Sequence, residues 1–364
     1  MGRTSTAAIV HKPGGQFTLE SVELDDLRAD EVLVRIEAAG VCHTDMNMQH
    51  VVPMPIVLGH EAAGVVEEIG AGVDYVKPGD RVIVSWPACG ECGSCISGRR
   101  DICERQFELL FSGRRLDGSQ TIKLGGKWIG GAYFQQSSFA ELAIAPVNSL
   151  VRVEDDVPAE ILAALPCGVM TGAGAVINSL RISVQDDLLV LGTGAVGLSA
   201  VMAAHLVGAD PIIAVDIKPQ RLALALELGA THAINAAEED VVARLKEIAP
   251  SGFRFAFDTT GVESSWNAAA LSLGMGGTFG VGATPAGEAL GLHPVEMFSK
   301  GLRLQFVLAG SAIPRVFLPR LIRWYKQGRF PVGRLVTTFP MGGINQAFEE
   351  SAAGRAIKPV LMMP

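Results

Sequence analysis

Residues 188–197 read LLVLGTGAVG, a short apolar run followed by the pattern Gly192-x-Gly194-x-x-Gly197. An apolar run of this length bounded by glycine suits a strand buried on both faces. The segment from Ala195 to residue 207, AVGLSAVMAAHLV, contains no proline and suits a helix, and IIAVD at 212–216 is a second apolar strand. Strand, glycine turn, helix and strand within about 30 residues make a βαβ unit, the building block of a parallel, doubly wound sheet. Gly192 permits the tight turn, Gly194 lets an anion approach the backbone, and Gly197 permits close packing of helix on strand. Ala195 and Val196 open the helix, whose free N–H groups and dipole favour a pyrophosphate. Asp216 closes the second strand 19 residues after Gly197 (216 − 197). A carboxylate there accepts ribose hydroxyls and repels a 2′-phosphate, which points to NAD over NADP.

The alternation of strands and helices continues to about residue 307. Upstream the rhythm differs, with short β-rich runs at 6–11, 17–24, 31–38, 61–69, 81–86 and 139–145 broken by Gly, Pro and Asp. That pattern predicts a compact, barrel-like β domain. From 308 the sequence has helical spacing over 316–327 and ends in an apolar run at 360–363, and it is expected to return to the first domain. The expected division is 1–167 with 308–364 against 168–307. A chain of 364 residues exceeds the roughly 250 to 300 that one core supports, so two domains and a cleft between them are expected.

The six cysteines fall into two groups. Cys89, Cys92, Cys95 and Cys103 form C-x2-C-x2-C-x7-C among glycine and turn residues. Four soft ligands so close in sequence converge on one tetrahedral ion and leave no open position, which predicts a structural zinc. An iron–sulfur cluster suits the same thiolates, whereas a pair of disulfides fits neither the tight spacing nor a reducing compartment. Cys42 and Cys167 stand apart, with His60 between them in the run GHE at 59–61. Two thiolates and an imidazole suit a zinc with its fourth position open. A lone cysteine is nevertheless most often a small buried hydrophobe, so these residue types alone do not assign a site.

Their contexts carry a resemblance. GHEAAGVVEEIGAGV at 59–73 matches GHE-x2-G-x5-G-x2-V, and CHTD at 42–45 and CG at 167–168 fall where that family places its ligands. The chain resembles, over essentially its whole length, the zinc-containing medium-chain dehydrogenases, specifically their alcohol dehydrogenases. The resemblance implies a GroES-like β-barrel catalytic domain beside a Rossmann domain. It implies that Cys42, His60 and Cys167 bind a catalytic zinc with Asp45 and Glu61 close by, giving two zinc ions per chain. It further implies that His43 and Lys358 reach the pyrophosphate, Arg221 the adenosine ribose and Thr171 the nicotinamide. The implied reaction is reversible hydride transfer between a primary alcohol and NAD, giving the aldehyde. Thr44, two positions after Cys42 with a hydroxyl that donates and accepts, is expected to relay the alcohol proton. Many relatives continue that relay with a His five residues after the first zinc Cys. Asn47 stands there and cannot titrate, so His50 is expected to replace it in an interval before His60 that is shorter than in the liver-type enzymes.

Four residues before Cys89 many relatives carry a large aromatic, and here the position is Ser85. Ser85, Met46, Phe111 and Phe134 are expected to line a wide apolar pocket. FQQSSFA at 134–140 and FDTTG at 257–261 resemble the aryl-alcohol (benzyl alcohol) branch, so benzylic, allylic or other bulky apolar alcohols are expected.

Composition bounds the alternatives. With 49% hydrophobic and 19% charged residues the chain should be folded nearly throughout. A net charge of −8, with Arg99-Arg100 and Arg114-Arg115 as the longest basic runs and read as solvated turns, leaves nucleic acid without electrostatic support. No uninterrupted apolar run reaches about 20 residues and no charged-then-apolar leader opens the chain, so no membrane partner and a cytoplasmic location are expected. Met1-Gly2 with Thr6 fits a loose acylation pattern, against which stands the strand beginning at residue 6. The expected partners are a small alcohol or aldehyde and a second copy in a homodimer, tetramers also occurring in the family. The quinone or enoyl reductase branch lacks these zinc ligands. A glutathione-dependent formaldehyde dehydrogenase, or a non-catalytic NAD-binding structural or sensor protein, remains as an alternative.

Overall fold

A computed structural model describes residues 3–154, 156–285 and 292–364, so Met1 and Gly2 of the acylation pattern lie outside the described residues. The chain forms two compact units. One holds the residues up to Cys167 with Ile313–Arg323 and Val332–Pro364, the other Gly168–Ala312 with Trp324–Pro331. The return therefore falls at residue 313, where the sequence suggested 308. The turn Ala309–Ser311 belongs to the second unit because Gly310, at φ 64°, packs so closely that a Cβ there would meet the Gly174 Cα at 2.7 Å.

In the first unit a five-stranded sheet runs in the order Ile56–Val57, Arg3–Val10, Phe17–Leu24, Ile122–Leu124, Lys127–Ile129. A seven-stranded sheet runs Leu150–Arg152, Arg81–Val84, Ala62–Ile69, Glu31–Gly40, Lys358–Met362, Val336–Pro340, with Leu142–Pro146 also on Glu31–Gly40. Glu31–Gly40 is the hub, pairing antiparallel with Ala62–Ile69, Leu142–Pro146 and Lys358–Met362. Its inward side chains Val34 and Ile36 join Ile9, Val66, Phe139 and Leu361 in the core. Its start is pinned by Arg115, which was expected in a solvated turn. The guanidinium is buried and forks onto Glu31 at 2.6 and 3.0 Å while reaching Asp25 at 2.7 Å. Such bidentate pairing satisfies the charge that burial strips of water, which is why this Arg lies inside.

Residues Ala159–Ser179 form a 21-residue helical run that composition and spacing had not disclosed. By length and composition it is apolar enough to cross a membrane, yet 83% of its most apolar window is buried inside the protein. Pro166 offers no N–H, and the run leaves α geometry for a wider π turn at Leu165–Val169, the turn that carries Cys167.

The second unit is a parallel sheet of six strands in the order His232–Asn235, Ile212–Asp216, Leu188–Leu191, Phe253–Asp258, Leu273–Val281, Arg303–Phe306. Strand order reverses beside Leu188–Leu191, and the carboxyl ends of strands at such a switch point are where open α/β sheets bind ligands. The helix Ala195–Val207 follows and stops at Gly208, whose φ of 80° an L side chain would strain.

Candidate metal centres and nucleotide turn

The hub strand delivers Val41 and Cys42 to the N-terminus of a short helix, His43–Asn47. Cys42 caps that helix: its sulfur accepts from the Thr44 N–H at 3.5 Å, and Asp45 Oδ2 reaches back to the Cys42 N–H at 3.2 Å. The other oxygen, Asp45 Oδ1, accepts from His60 Nδ1 at 2.8 Å and from the Gly59 N–H at 3.3 Å. One buried carboxylate thereby ties together the two segments that carry Cys42 and His60. It also fixes the tautomer, because a proton held at Nδ1 leaves Nε2 with a free lone pair. Among the described residues His60 Nε2 is buried without a hydrogen-bond partner.

Cys42, His60, Glu61 and Cys167 place one potential ligand atom each within 4.8 Å of one another. Half-buried thiols around a buried imidazole nitrogen with no hydrogen-bond partner, and with Glu61 Oε1 3.8 Å from it, fit a zinc ion. Interaction with the Cys167 thiol holds Cys42 well below the usual thiol range, and its counterpart Cys167 is pushed well up by the same contact and by burial. Burial would lower the His60 pKa, but Asp45 and then Cys42 outweigh it and raise it, so an ion taking the Nε2 lone pair displaces a proton from that nitrogen. Burial pushes Glu61 up to about 7 against the pull of Lys358.

Lys358 lies inside the first unit. It is only 2% exposed, its Nζ pairs with Glu61 Oε2, and the Val41 carbonyl lies 3.4 Å away. In this structure it is the counter-ion of Glu61 and not a solvated surface charge. A buried ammonium takes the nearest carboxylate because nothing else offsets its lost hydration. Thr44 Oγ1 sits 3.4 Å from the Cys42 sulfur and is half-buried. His43 and His50 are exposed, the latter ending the turn Met48–His50.

The pocket residues also separate. Ser85 has no exposed surface and Phe134 is 2% exposed, so neither presents a face to a ligand here. Their burial follows from Gln136, whose side chain hydrogen-bonds the Ser85 carbonyl at 3.4 Å, and from Phe134 lying flat on His60. Met46 and Phe111 are half-buried and pack against the core of the first unit.

Cys89, Cys92, Cys95 and Cys103 also bring their sulfurs within 4.8 Å of one another. Three backbone N–H groups, of Cys89, Cys92 and Cys95, point at cysteine sulfurs at 3.4 Å. Donors aimed at sulfur favour thiolate, and hydrogen bonding from backbone holds Cys92 down at about 6. The lobe has little core of its own, only Ala88, Cys95, Cys103 and Leu109 with a few half-buried neighbours.

In the second unit each glycine of the turn can be tested by adding a methyl group. At Gly192, φ 89°, a Cβ would meet Thr259 Oγ1 at 2.6 Å, and at Gly197 it would strike the Gly192 carbonyl at 1.8 Å. At Gly194 it would meet nothing within 4 Å. The outer two glycines are thus required by the fold, whereas the middle one leaves open space against the start of a 13-residue helix with no side-chain cap. An open cradle at uncapped N–H groups fits the phosphates of a dinucleotide. Asp216 is held by four donors: Thr193 N–H at 2.6 Å and Thr193 Oγ1 at 2.7 Å on one oxygen, Ile217 N–H at 2.7 Å and Lys218 N–H at 3.0 Å on the other. Thr193 was not singled out from sequence, since the middle of GxG carries no signal of its own. Arg221 lies in the first turn of the helix Pro219–Glu227, and Thr171 is half-buried in the helix Met170–Gly174.

This combination of sheets and ligand chemistry defines a metal-binding, dinucleotide-linked dehydrogenase. Residues 28–155 match the family model for the alcohol dehydrogenase GroES-like domain, and residues 195–327 the one for zinc-binding dehydrogenases. The chain is 41% identical to a geraniol dehydrogenase of Castellaniella defragrans over 99% of its own length and 98% of that protein. It therefore belongs to the zinc-containing medium-chain alcohol dehydrogenase family. It superposes on the crystal structure of benzyl alcohol dehydrogenase from Acinetobacter calcoaceticus with a TM-score of 0.95 at 38% identity, both chains fully covered. It is also 34% identical to an S-(hydroxymethyl)glutathione dehydrogenase of Komagataella pastoris, over 98% of this chain and 97% of that one.

Proposed function

We propose that the protein oxidises bulky apolar primary alcohols, benzylic or allylic, to aldehydes with NAD, using one catalytic and one structural zinc per chain. The observation that carries this reading is the Cys42–His60–Cys167 set converging around a buried imidazole nitrogen with no hydrogen-bond partner. Zinc, when bound, supplies Lewis acidity toward the alcohol oxygen, and NAD, when bound, accepts the hydride. The protein's own residues do the rest. Cys42, His60 and Cys167 hold the ion, and Asp45 orients His60. Thr44 Oγ1 is the hydroxyl next to Cys42 that can accept the alcohol proton and pass it on. The uncapped helix start at Gly194 and Ala195 holds pyrophosphate, and Asp216 takes the adenosine ribose.

The substrate class draws support from relatives named for geraniol and benzyl alcohol, and from the half-buried apolar Met46 and Phe111. Filling an apolar pocket with a ring is worth several methylene equivalents at about 0.8 kcal/mol each. The kcat/KM for benzyl alcohol or geraniol is therefore expected to exceed that for ethanol by on the order of 100-fold. A ratio near one in steady-state assays would overturn the wide-pocket reading. Because Ser85 is enclosed, a phenyl group there would overpack the interior, so Ser85→Phe is not a clean probe of the pocket.

The exposure of His50 suits the last step of a proton path to solvent. His50→Ala is expected to slow alcohol oxidation more at low pH than at high pH, where hydroxide takes over the proton. Superimposable pH–rate profiles for parent and variant would exclude His50 from the path. A second reading, glutathione-dependent formaldehyde oxidation, is favoured by the Komagataella relative. Turnover of formaldehyde that requires added glutathione would decide for it.

A further inference from the structure

We propose that Phe134 is a positioning residue for the metal centre, fixing the plane of the His60 imidazole through a strained backbone segment built for that purpose. The inference rests on the proposed reading of His60 as a metal ligand.

The hydrogen bond from Nδ1 to Asp45, at 2.8 Å, holds one edge of the ring but leaves it free to pivot about that bond. Two aromatic contacts remove the pivot. Phe134 lies flat on the imidazole, with centroids 4.4 Å apart and planes 27° apart, and Tyr133 meets it edge-on at 5.9 Å and 81°. Phe134 is itself wedged by Trp86 and Phe111, each at 5.6 Å and nearly perpendicular. A ligand nitrogen held in direction as well as in place loses less freedom when it binds an ion.

The backbone that presents Phe134 is costly. Phe134, Gln135 and Ser137 have φ of 49°, 55° and 47°, a left-handed region that L residues seldom enter and bulky ones least of all. Such strain persists only where surroundings over-determine it, and here the surroundings are the segment that carries His60. All four consecutive carbonyls from Val57 to His60 accept a bond from residues 136–139. Ser137 Oγ donates to Val57 at 2.6 Å, the Phe139 N–H to Leu58 at 3.0 Å, the Ser138 N–H to Gly59 at 3.1 Å, and Gln136 Nε2 to His60 at 3.1 Å. The two strands of chain are locked side by side, and the product of the strain is a ring laid on a ligand. At 2% exposure Phe134 has no face left for substrate, so contact with His60 is its working surface.

The test uses the full-length, zinc-replete protein and measures release of each zinc to excess chelator, with the absorption spectrum of the cobalt(II)-substituted protein as a second readout. Phe134→Leu keeps apolar bulk but loses the flat ring. Phe17→Leu is the control for plain packing loss, since Phe17 stacks on Phe348 in the same core without touching His60. Phe134→Leu is expected to release one zinc about tenfold faster or more and to shift the cobalt bands, leaving the other zinc unchanged. Phe17→Leu is expected to leave both rates and the spectrum at parental values. Parental rates and spectrum in Phe134→Leu, or equal acceleration in Phe17→Leu, would overturn the proposal. His60→Ala separates the two levels. If it keeps both ions at parental rates, the metal-site reading itself fails. If it loses one ion while Phe134→Leu does not, only the positioning role fails.

Discussion

Replacing Cys42 by Ser is expected to abolish alcohol oxidation and leave the fold standing, while replacing Cys89 by Ser should chiefly destabilise the protein. The asymmetry follows from what each sulfur does besides binding metal. Cys42 is the cap of the helix His43–Asn47, accepting the Thr44 N–H, and serine is a strongly preferred cap that keeps that bond. What Cys42→Ser loses is a soft donor, and with it a Lewis-acid contribution of several kcal/mol, so kcat should fall on the order of 1,000-fold or more. Cys89 sits in a lobe whose buried apolar content is Ala88, Cys95, Cys103 and Leu109, too small to hold itself together. There metal binding is folding energy, and its loss should lower Tm and expose the segment to proteolysis. Elemental analysis is expected to give two zinc ions in the parent and one in each variant. Full metal content and parental kcat in Cys42→Ser would remove Cys42 from the catalytic set, and a parental Tm in Cys89→Ser would remove the structural role of the lobe.

How far such assignments could be read from sequence depends on the range of the interactions involved. The strands Leu188–Leu191 and Ile212–Asp216 and the helix Ala195–Val207 have the bounds read from the sequence, because short apolar runs punctuated by glycine are local signals. In the β unit the strand expected at 139–145 lies at Leu142–Pro146, since Phe139 is spent on the side-by-side bonds with Leu58. The convergence of Cys42, His60 and Cys167 was legible only through family resemblance, as 107 residues separate the last two (167 − 60). Hidden altogether were the features set by packing: Lys358 turned inward onto Glu61, the enclosure of Ser85, and the ring of Phe134 on His60. The left-handed turn through Phe134, Gln135 and Ser137 gives no warning either, because none of its three strained residues is a glycine.

Asp216→Ser is expected to bring the efficiencies with NAD and NADP toward each other by about tenfold or more, a differential of at least roughly 1.4 kcal/mol. The carboxylate ends the strand Ile212–Asp216, and its four donors hold it in one orientation. A 2′-phosphate brought beside that fixed charge meets repulsion, whereas ribose hydroxyls meet acceptors. The same four bonds complicate the experiment. Serine leaves the N–H groups of Thr193, Ile217 and Lys218 without their acceptor, which loosens the turn between Gly192 and Gly194 and should weaken both cofactors. The ratio, rather than either KM, is therefore the measurement. Asp216→Asn supplies the complementary arm, since it removes the charge but keeps one oxygen to accept from the Ile217 and Lys218 N–H groups. If repulsion governs the choice, both variants shift the ratio in the same direction even though their absolute efficiencies differ. If only Asp216→Ser shifts it, the shape of the turn rather than the charge discriminates. A ratio unchanged in both would show that Asp216 holds Thr193 and does not face the ribose.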